Sequence, residues 1–222
     1  MTDFWTTLGS AEFIRIIALS LAVSLSATAL AIIIGLPLGA GLAVLRFPGQ
    51  RPLIVVFNAL LGLPPVVVGL ALYLALSRAG PLGELGMLFT PGAMVLAQAV
   101  LATPIVAALV HRTVSDRWAE YGGALLVDGA TPLRAIPILL AMGRKQLVTA
   151  GLAGFGRTIS EVGAILVVGG NISGYTRTMT TAIALETSKG NLALALGLGF
   201  VLIGISTAVS ATAFALNERS ER

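Results

Sequence analysis

Two charged side chains stand four residues apart in an otherwise apolar stretch. Arg157 and Glu161 lie within "FGRTISEVGAILVVGGN", residues 155–171. A charged side chain near the centre of a bilayer costs about 2.5–3.5 kcal/mol on insertion scales, so two of them need a physical reason. On a helix this spacing puts both on one face, where they can form an ion pair. Such a pair either only supports assembly or acts in the working cycle of the protein.

The bulk composition predicts a multi-pass protein of the lipid bilayer. Hydrophobic residues make up 56% of the chain and charged residues 11%, and the mean hydropathy is +0.95. A soluble domain carries about 25% charged residues. The chain has no cysteine and one histidine, His111, which excludes disulfides and thiolate sites and argues against a metal site. The net charge of +4 is typical of basic cytoplasmic loops, so no nucleic-acid partner is expected.

Charge-free runs predict five transmembrane helices in an all-α fold. Four runs without Asp, Glu, Lys or Arg exceed the roughly 20 residues that a spanning helix needs. They cover residues 16–45, 52–77, 85–110 and 190–217. A fifth run, 146–170, reaches this length only with Arg157 and Glu161 inside it. We predict one membrane domain, residues 1–222, with spans at 13–45, 53–76, 91–110, 147–169 and 192–216.

The distribution of Lys and Arg predicts the orientation. With the N-terminus outside, nine basic residues face inward and four face outward, which is the usual cytoplasmic bias. The inner residues are Arg46, Arg51, Arg112, Arg117, Arg134, Arg144, Lys145, Arg219 and Arg222, and the outer ones are Arg15, Arg78, Arg177 and Lys189. The C-terminus is then cytoplasmic. Because Asp3 and Glu12 precede the first run and no basic segment leads it, a cleaved signal peptide is not expected.

The inner segment from His111 to Gln146 is too long for a turn and is predicted to form an elbow of two short helices. The first covers residues 118–127, and Gly129 suits a left-handed C-terminal cap. Thr131 and Pro132 suit the N-cap and the first position of the next helix. A rigid elbow suits docking to another protein. The alternative is an amphipathic hairpin that lies on lipid.

Glycine and proline residues predict close packing and breaks in the spans. Gly35 and Gly39 form a G-x-x-x-G pair, which favours packing within one subunit over a dedicated dimer motif. Pro64 and Pro65 must kink or break the second span. In the inner turn, residues 46–52, we expect the prolines and Gly49 to prevent helix formation. Residues 170–190 are expected to form a polar outer segment.

Motifs for enzymatic chemistry are absent from the sequence. No G-x-x-x-x-G-K-[ST] motif occurs, so the chain does not bind ATP through a P-loop. His111 has no recognisable catalytic partners, and a membrane enzyme is disfavoured. A channel or an ion-coupled carrier stays an alternative. Carriers, however, commonly show internal repeats and several intramembrane carboxylates, and Glu161 is the one carboxylate in the predicted spans.

Three segments resemble the permease subunits of ABC importers. "GALLVDGATPLRAIPILL", residues 123–140, resembles the cytoplasmic EAA loop, with Gly123 and Leu125 where the family usually has Glu and Ala. "LPPVVVGLALYL" and "GPLGELGMLFT", within residues 63–90, resemble the molybdate, tungstate and sulfate branch. "GFGRTISEVGAILVVGGN" and "TRTMTTAIALETSKGN", within residues 154–191, are most similar to tungstate permeases.

This resemblance implies a type I importer in the cell (inner) membrane. Its expected partners are a second copy of the chain, two cytoplasmic ATPase subunits that bind ATP and Mg, and an extracytoplasmic oxyanion-binding protein. The chain itself is then a transport subunit without catalytic residues, cofactor or metal, and it couples ATP hydrolysis to alternating access. The expected substrate is tungstate, with molybdate or sulfate as alternatives.

The resemblance to the EAA loop implies one set of functional residues, and the small and charged residues of the fourth span predict a second. The ATPase-coupling loop corresponds to residues 111–146, with its key positions at Gly123, Ala124, Leu125, Val127, Asp128, Gly129, Ala130, Thr131, Pro132 and Arg134. Three of them, Ala124, Leu125 and Val127, are expected to supply apolar contact. The translocation path or gate is expected at Gly156, Arg157, Ser160, Glu161, Gly163 and Asn171. Small residues there would let the fourth helix cross its dimer mate closely, and packing within one subunit is the alternative.

Overall fold

A computed structural model describes residues 10–221, with side chains described for residues 10–216. Asp3, Arg222 and the side chain of Arg219, used above for the signal and the orientation, lie outside the described residues. Within the described range the regular elements are helical. They are α1 (Ala11–Val44), α2 (Gln50–Leu60), α3 (Pro65–Leu76), a 3-10 turn (Gly83–Leu85), α4 (Pro91–Val127), α5 (Pro132–Met142), α6 (Arg144–Ile159), α7 (Gly163–Gly169), α8 (Met179–Ser188) and α9 (Leu192–Glu221).

Helices α1 and α4 form the centre of the fold. A Cβ atom added to Gly35 would lie 2.9 Å from Val106 Cγ1, and one added to Gly39 would lie 2.8 Å from Val110 Cβ. The two backbones therefore approach too closely for any side chain at either glycine, and the predicted packing within one subunit is confirmed. Because successive contacts advance toward the C-terminus on both helices, α1 and α4 run in the same direction.

The predicted break in the second span is confirmed. Helices α2 and α3 meet at an angle of 104° across a short gap, with Pro65 as the first residue of α3. The expectation that Pro52 prevents helix formation is wrong, because Pro52 lies in the first turn of α2. A missing N–H costs nothing at this position, since the first turn has no intrahelical acceptor for it.

The fourth predicted span is also broken, which the sequence did not predict. Helix α6 ends at Ile159, α7 begins at Gly163, and the two are bent by 59°. The expectation that Arg157 and Glu161 share a face of one helix is therefore wrong, because Glu161 lies in the gap. Polar groups from neighbouring elements bind the backbone at this gap, which is what makes a broken helix tolerable at membrane depth.

The elbow between α4 and α5 has the predicted caps but a different first arm. Residues 118–127 do not form a separate short helix, because α4 continues without interruption for 37 residues. Gly129 has the left-handed φ of +84°. Thr131 is the N-cap of α5 and accepts a hydrogen bond from the Arg134 backbone N–H at 3.4 Å, and Pro132 is the first residue of α5. The predicted stop-and-restart signals are thus confirmed.

The segment between residues 170 and 190 is not simply a polar outer loop. It contains α8, and four of the threonines in the segment are buried: Thr176, Thr178, Thr180 and Thr181. Their hydroxyl groups bond to each other and to the backbone, so a polar composition at this place does not indicate solvent exposure.

Within the described residues, three helices are long and apolar enough to cross a membrane: α1, α4 and the part of α9 up to residue 216. The number rises to five if each bent pair, α2–α3 and α6–α7, is one crossing. The structure is therefore that of an all-helical membrane protein with three to five candidate spans. Helix α9 is the most peripheral of the long helices, with 22% of its most apolar window buried, against 61% for α4.

Candidate functional site

The gap between α6 and α7 is bridged by a single carboxylate. Glu161 Oε2 lies 3.0 Å from Arg157 Nη1 near the end of α6. Glu161 Oε1 accepts a hydrogen bond from the Ala164 backbone N–H in the first turn of α7, at 3.2 Å. The Glu161 side chain is 3% exposed and that of Arg157 is 33% exposed. Glu161 thus fixes the two helix ends to each other from inside the protein.

Neighbouring helices bind polar groups in the gap and in the last turn of α6. Gln98 Nε2 of α4 donates to the Thr158 carbonyl at 2.8 Å, and the hydroxyl groups of Thr28 of α1 and Thr158 lie 3.1 Å apart. Thr180 Oγ1 of α8 donates to the Glu161 carbonyl at 2.7 Å. Three elements therefore hold the gap in place. Sequence reasoning missed these partners, although Gln98 was visible as a lone amide in the middle of a charge-free run.

The predicted path residues Gly156, Ser160, Gly163 and Asn171 do not lie together. Gly156 and Ser160 line a groove of about 530 Å³ between α6 and α9, together with small and hydroxyl residues. These include Thr149, Ser206 and Ser210. Gly163 does not open to this groove, because a Cβ atom there would lie 2.7 Å from Val66 Cγ2 of α3. Asn171 lies apart from both, beyond α7, where its Nδ2 donates to the Thr181 carbonyl at 3.3 Å.

The residues predicted for ATPase coupling are mostly exposed at the end of α4 and the start of α5. Exposed positions are Gly123, Ala124, Val127, Asp128, Gly129, Thr131, Pro132 and Arg134, whereas Leu125 and Ala130 are partly buried. Leu125 packs partly against the chain's own core, while Leu126 and Leu133, which the sequence did not single out, are 49% and 65% exposed. Val127 is 88% exposed. The elbow therefore presents an apolar tip.

The elbow is also firmly attached to its own subunit. Ala135 and Leu139 of α5 are fully buried in a cluster with Val110 and Val114 of α4. One face of α5 thus packs on the helix bundle while Leu133 stays exposed. This arrangement can receive another protein without first having to become ordered.

A second polar cluster, which the sequence did not predict, surrounds Glu186 of α8. Arg177 lies 3.3 Å from Glu12 and 3.9 Å from Glu186, so it connects the start of α1 to α8. Lys189 and Asn191 donate to Glu186 at 3.1 and 3.0 Å. Burial alone would raise the pKa of Glu186, but these hydrogen bonds and the charges of Lys189 and Arg177 outweigh it, so its pKa lies below the ordinary 4.5.

Known proteins resemble the chain over nearly its whole length, although no protein-family model matches it. The chain is 38% identical over 212 residues to a probable anion ABC transporter permease protein of Haloferax volcanii. This alignment covers 93% of the present chain and 91% of the relative. The chain is 39% identical over 203 residues to the tungstate uptake system permease protein TupB of Peptoclostridium acidaminophilum, with coverage of 91% and 89%. A putative molybdenum transport system permease protein, YvgM of Bacillus subtilis, is 31% identical over 198 residues, with coverage of 86% and 87%.

Two solved structures share the fold. The MetNI methionine ABC transporter, in inward-facing conformations, aligns with a TM-score of 0.72 over 92% of this chain and 94% of its own, at 19% identity. A bacterial ABC transporter that imports the acidic polysaccharide alginate aligns with a TM-score of 0.69 at 20% identity, over 99% of this chain and 83% of its own. With the sequence relatives, these findings show that the chain belongs to the ABC transporter permeases, in the branch that contains tungstate and molybdenum permeases.

Proposed function

We propose that the chain is the transmembrane permease subunit of an ATP-driven importer for tungstate. The observation that carries this proposal is the 39% identity to a tungstate uptake permease over about nine-tenths of both chains. Molybdate is the second candidate substrate, because permeases with molybdenum in their names are similar at about 30% identity. The relatives are ABC permeases, which favours ATP coupling over an ion-coupled carrier or a channel.

The proposed topology has five crossings of the cell membrane, with the N-terminus outside and the C-terminus in the cytoplasm. The parallel packing of α1 and α4 supports it, because the chain must return between them through the α2–α3 pair. Helix α6 runs opposite to α1, since Gly151 contacts Ile32 and Gly154 lies near Thr28. Helices α1, α4 and α6 thus have the relative directions that five alternating crossings require.

The proposed assembly contains two copies of the chain, two cytoplasmic ATPase subunits and an extracytoplasmic oxyanion-binding protein. ATP and Mg are bound by the ATPase subunits, and the permease itself carries no ATPase site. The ATPase docks at the elbow, where the exposed Val127 and Leu133 supply apolar contact and Gly129 fixes the angle between α4 and α5.

The anion path is proposed to follow the groove between α6 and α9, at the interface with the second copy. Small and hydroxyl residues such as Gly156, Ser160 and Ser210 line this groove, and such residues let a second helix approach closely. Glu161 would repel an anion, but it is buried and paired with Arg157. The pair therefore acts on the gate by holding the α6–α7 break, rather than by binding the anion.

The function is tested with the permease and its cognate ATPase in proteoliposomes, together with the cognate binding protein. We expect ATP hydrolysis and anion uptake to rise most when the binding protein is loaded with tungstate. Liposomes without the permease are the control. Equal or greater stimulation by molybdate or sulfate would contradict tungstate as the substrate, and uptake that follows an ion gradient without ATP would contradict ABC coupling.

A further inference from the structure

A pocket of about 530 Å³ opens beside the elbow. Three segments that are distant in sequence form its walls: the end of α1, the last turns of α4 and the start of α5. The lining residues are Val44, Leu45, Arg46, Trp118, Gly122, Gly123, Leu126 and Pro132. The pocket is thus continuous with the predicted coupling residues but extends beyond them onto α1, where no functional residue was expected.

Two successive glycines keep this pocket open. The Trp118 ring packs on Gly122, where an added Cβ atom would lie 2.8 Å from Trp118 Cδ2. At Gly123 an added Cβ atom would meet nothing within 4 Å. A side chain at Gly123 would therefore occupy the pocket without any clash inside the subunit. The empty space belongs to the surface of the folded chain and is not a packing defect of its core.

The position of the pocket along α4 places it outside the hydrocarbon layer. The 37 residues of α4 correspond to about 55 Å, whereas the apolar core of a bilayer is about 30 Å thick. If the crossing ends near residue 110, as predicted, Gly123 lies about 20 Å further along the helix. In the proposed topology the pocket therefore faces the cytoplasm rather than lipid tails.

The charge of the pocket is unbalanced. Arg46 is exposed at its edge and forms no ion pair or hydrogen bond with any residue of the described range. The lining includes no carboxylate. A guanidinium group binds a carboxylate through two parallel hydrogen bonds, and the adjacent surfaces of Trp118 and Leu126 are apolar. The pocket thus fits an acidic side chain carried on an apolar segment of a protein.

We propose that this pocket is a second docking site for the ATPase subunit, and that an Asp or Glu of the ATPase pairs with Arg46. The proposal rests on the proposed function, because it assumes that the ATPase binds at the neighbouring elbow. Residues on α1 then join α4 and α5 in holding the ATPase. The contact between permease and ATPase therefore has an apolar part at Val127 and Leu133 and an ionic part at Arg46.

The test measures the Kd of the purified ATPase subunit for the permease in nanodiscs of neutral phosphatidylcholine. We expect Arg46→Glu to weaken binding by about tenfold at low salt and by less at high salt, because an interfacial charge pair is lost and screening reduces its contribution. Arg51→Glu changes an exposed arginine outside the pocket, and we expect a change of at most about twofold. Gly123→Leu, which fills the pocket, should weaken binding at both salt concentrations.

The following results decide whether Arg46 pairs with the ATPase. Arg46→Glu is combined in turn with the substitution of single acidic residues of the ATPase by Lys. Restored binding in one combination supports the proposal, and failure of every combination overturns it. Unchanged binding of Arg46→Glu, together with lost binding of Gly129→Val, overturns it while the elbow keeps its proposed function. Unchanged binding of both variants contradicts the proposed ATPase docking itself. A loss that appears only with anionic lipid would assign Arg46 to a lipid headgroup and overturn the proposal.

Discussion

The α6–α7 break and the elbow between α4 and α5 are both interruptions of helical structure, but they differ in how far the described chain covers them. At the break, Glu161 bonds to both helix ends, Gln98 binds the Thr158 carbonyl in the last turn of α6, and Thr180 binds the Glu161 carbonyl in the gap. At the elbow Val127 is 88% exposed, and in the pocket beside it Arg46 has no partner within the described residues. The break is thus held by the chain itself, whereas the elbow is an exposed surface at which we propose that the ATPase docks.

The largest effect is expected when the break is left with an unpaired charge. Glu161→Gln removes the ion pair with Arg157, and breaking a buried pair costs about 3–5 kcal/mol. Because the Arg157 side chain is 33% exposed, we expect a loss at or below the lower end of this range. Both the yield of folded protein and transport should fall. Thermal unfolding in detergent and uptake in proteoliposomes measure the two effects.

The double variant Arg157→Met/Glu161→Gln separates assembly from function. Removing both charges leaves no uncompensated ion, so the folded yield should recover. We expect transport to stay low, because the two sides of the break are then no longer fixed by the ion pair. Full recovery of transport would show that the pair serves only assembly, and the gate proposal would be wrong.

At the elbow we expect loss of coupling without loss of folding. Gly129→Val puts a β-branched side chain at φ +84°, which costs about 1–2 kcal/mol and shifts the angle between α4 and α5. Insertion should be normal, and anion-stimulated ATP hydrolysis should be abolished. Gly190→Val is the matched control, because Gly190 has φ +80° and equally open surroundings but lies outside the elbow. Normal coupling in Gly129→Val would contradict the docking assignment.

Single introduced cysteines test whether the groove beside the break lines the anion path. The chain has no cysteine, so Gly156→Cys and Ser160→Cys introduce unique thiols. We expect them to crosslink between two copies or to react with aqueous thiol reagents in at least one nucleotide state. Gly154→Cys is the buried control, because its side chain would point at Val106. If neither groove cysteine reacts in any state, the anion path does not follow this groove.

The smallest effect is expected at the Glu186 cluster on α8. The pKa of Glu186 lies below its ordinary 4.5, so its ionised form stabilises the folded chain above that pH, and this contribution is lost as the pH falls further. Lys189 is half-exposed, which limits the gain. We expect Glu186→Gln to lower Tm by at most about 2–4 °C near neutral pH, and by less in acid. An equal effect at both pH values would contradict this explanation.

Local signals in the sequence predicted some features well. Gly129, Thr131 and Pro132 set the elbow by their own backbone preferences, and Pro64 and Pro65 set the α2–α3 bend in the same way. The ion pair of Arg157 with Glu161 was also predicted, although on a continuous helix that does not exist.

Features that depend on distant partners were not predictable from local sequence. The α6–α7 break depends on Gln98 and Thr180, which lie on other helices, and periodicity in residues 146–170 carries no information about them. The burial of Glu186 depends in the same way on Arg177 and Asn191, outside its own helix. The continuation of α4 beyond residue 110 likewise involves distant partners, because Val110 and Val114 pack in one cluster with Val44 of α1 and with Ala135 and Leu139 of α5.

That unbroken length has a mechanical consequence. Helix α4 is a rod of about 55 Å that reaches from Pro91 to the elbow. It packs against α1 so closely at Gly35 and Gly39 that no side chain fits between the two helices there. A push at Val127 by the ATPase that we propose to dock there would therefore tilt α1 and α4 together as one lever. The α6–α7 segment would follow with its bend unchanged, because Glu161 fixes the two helix ends to each other.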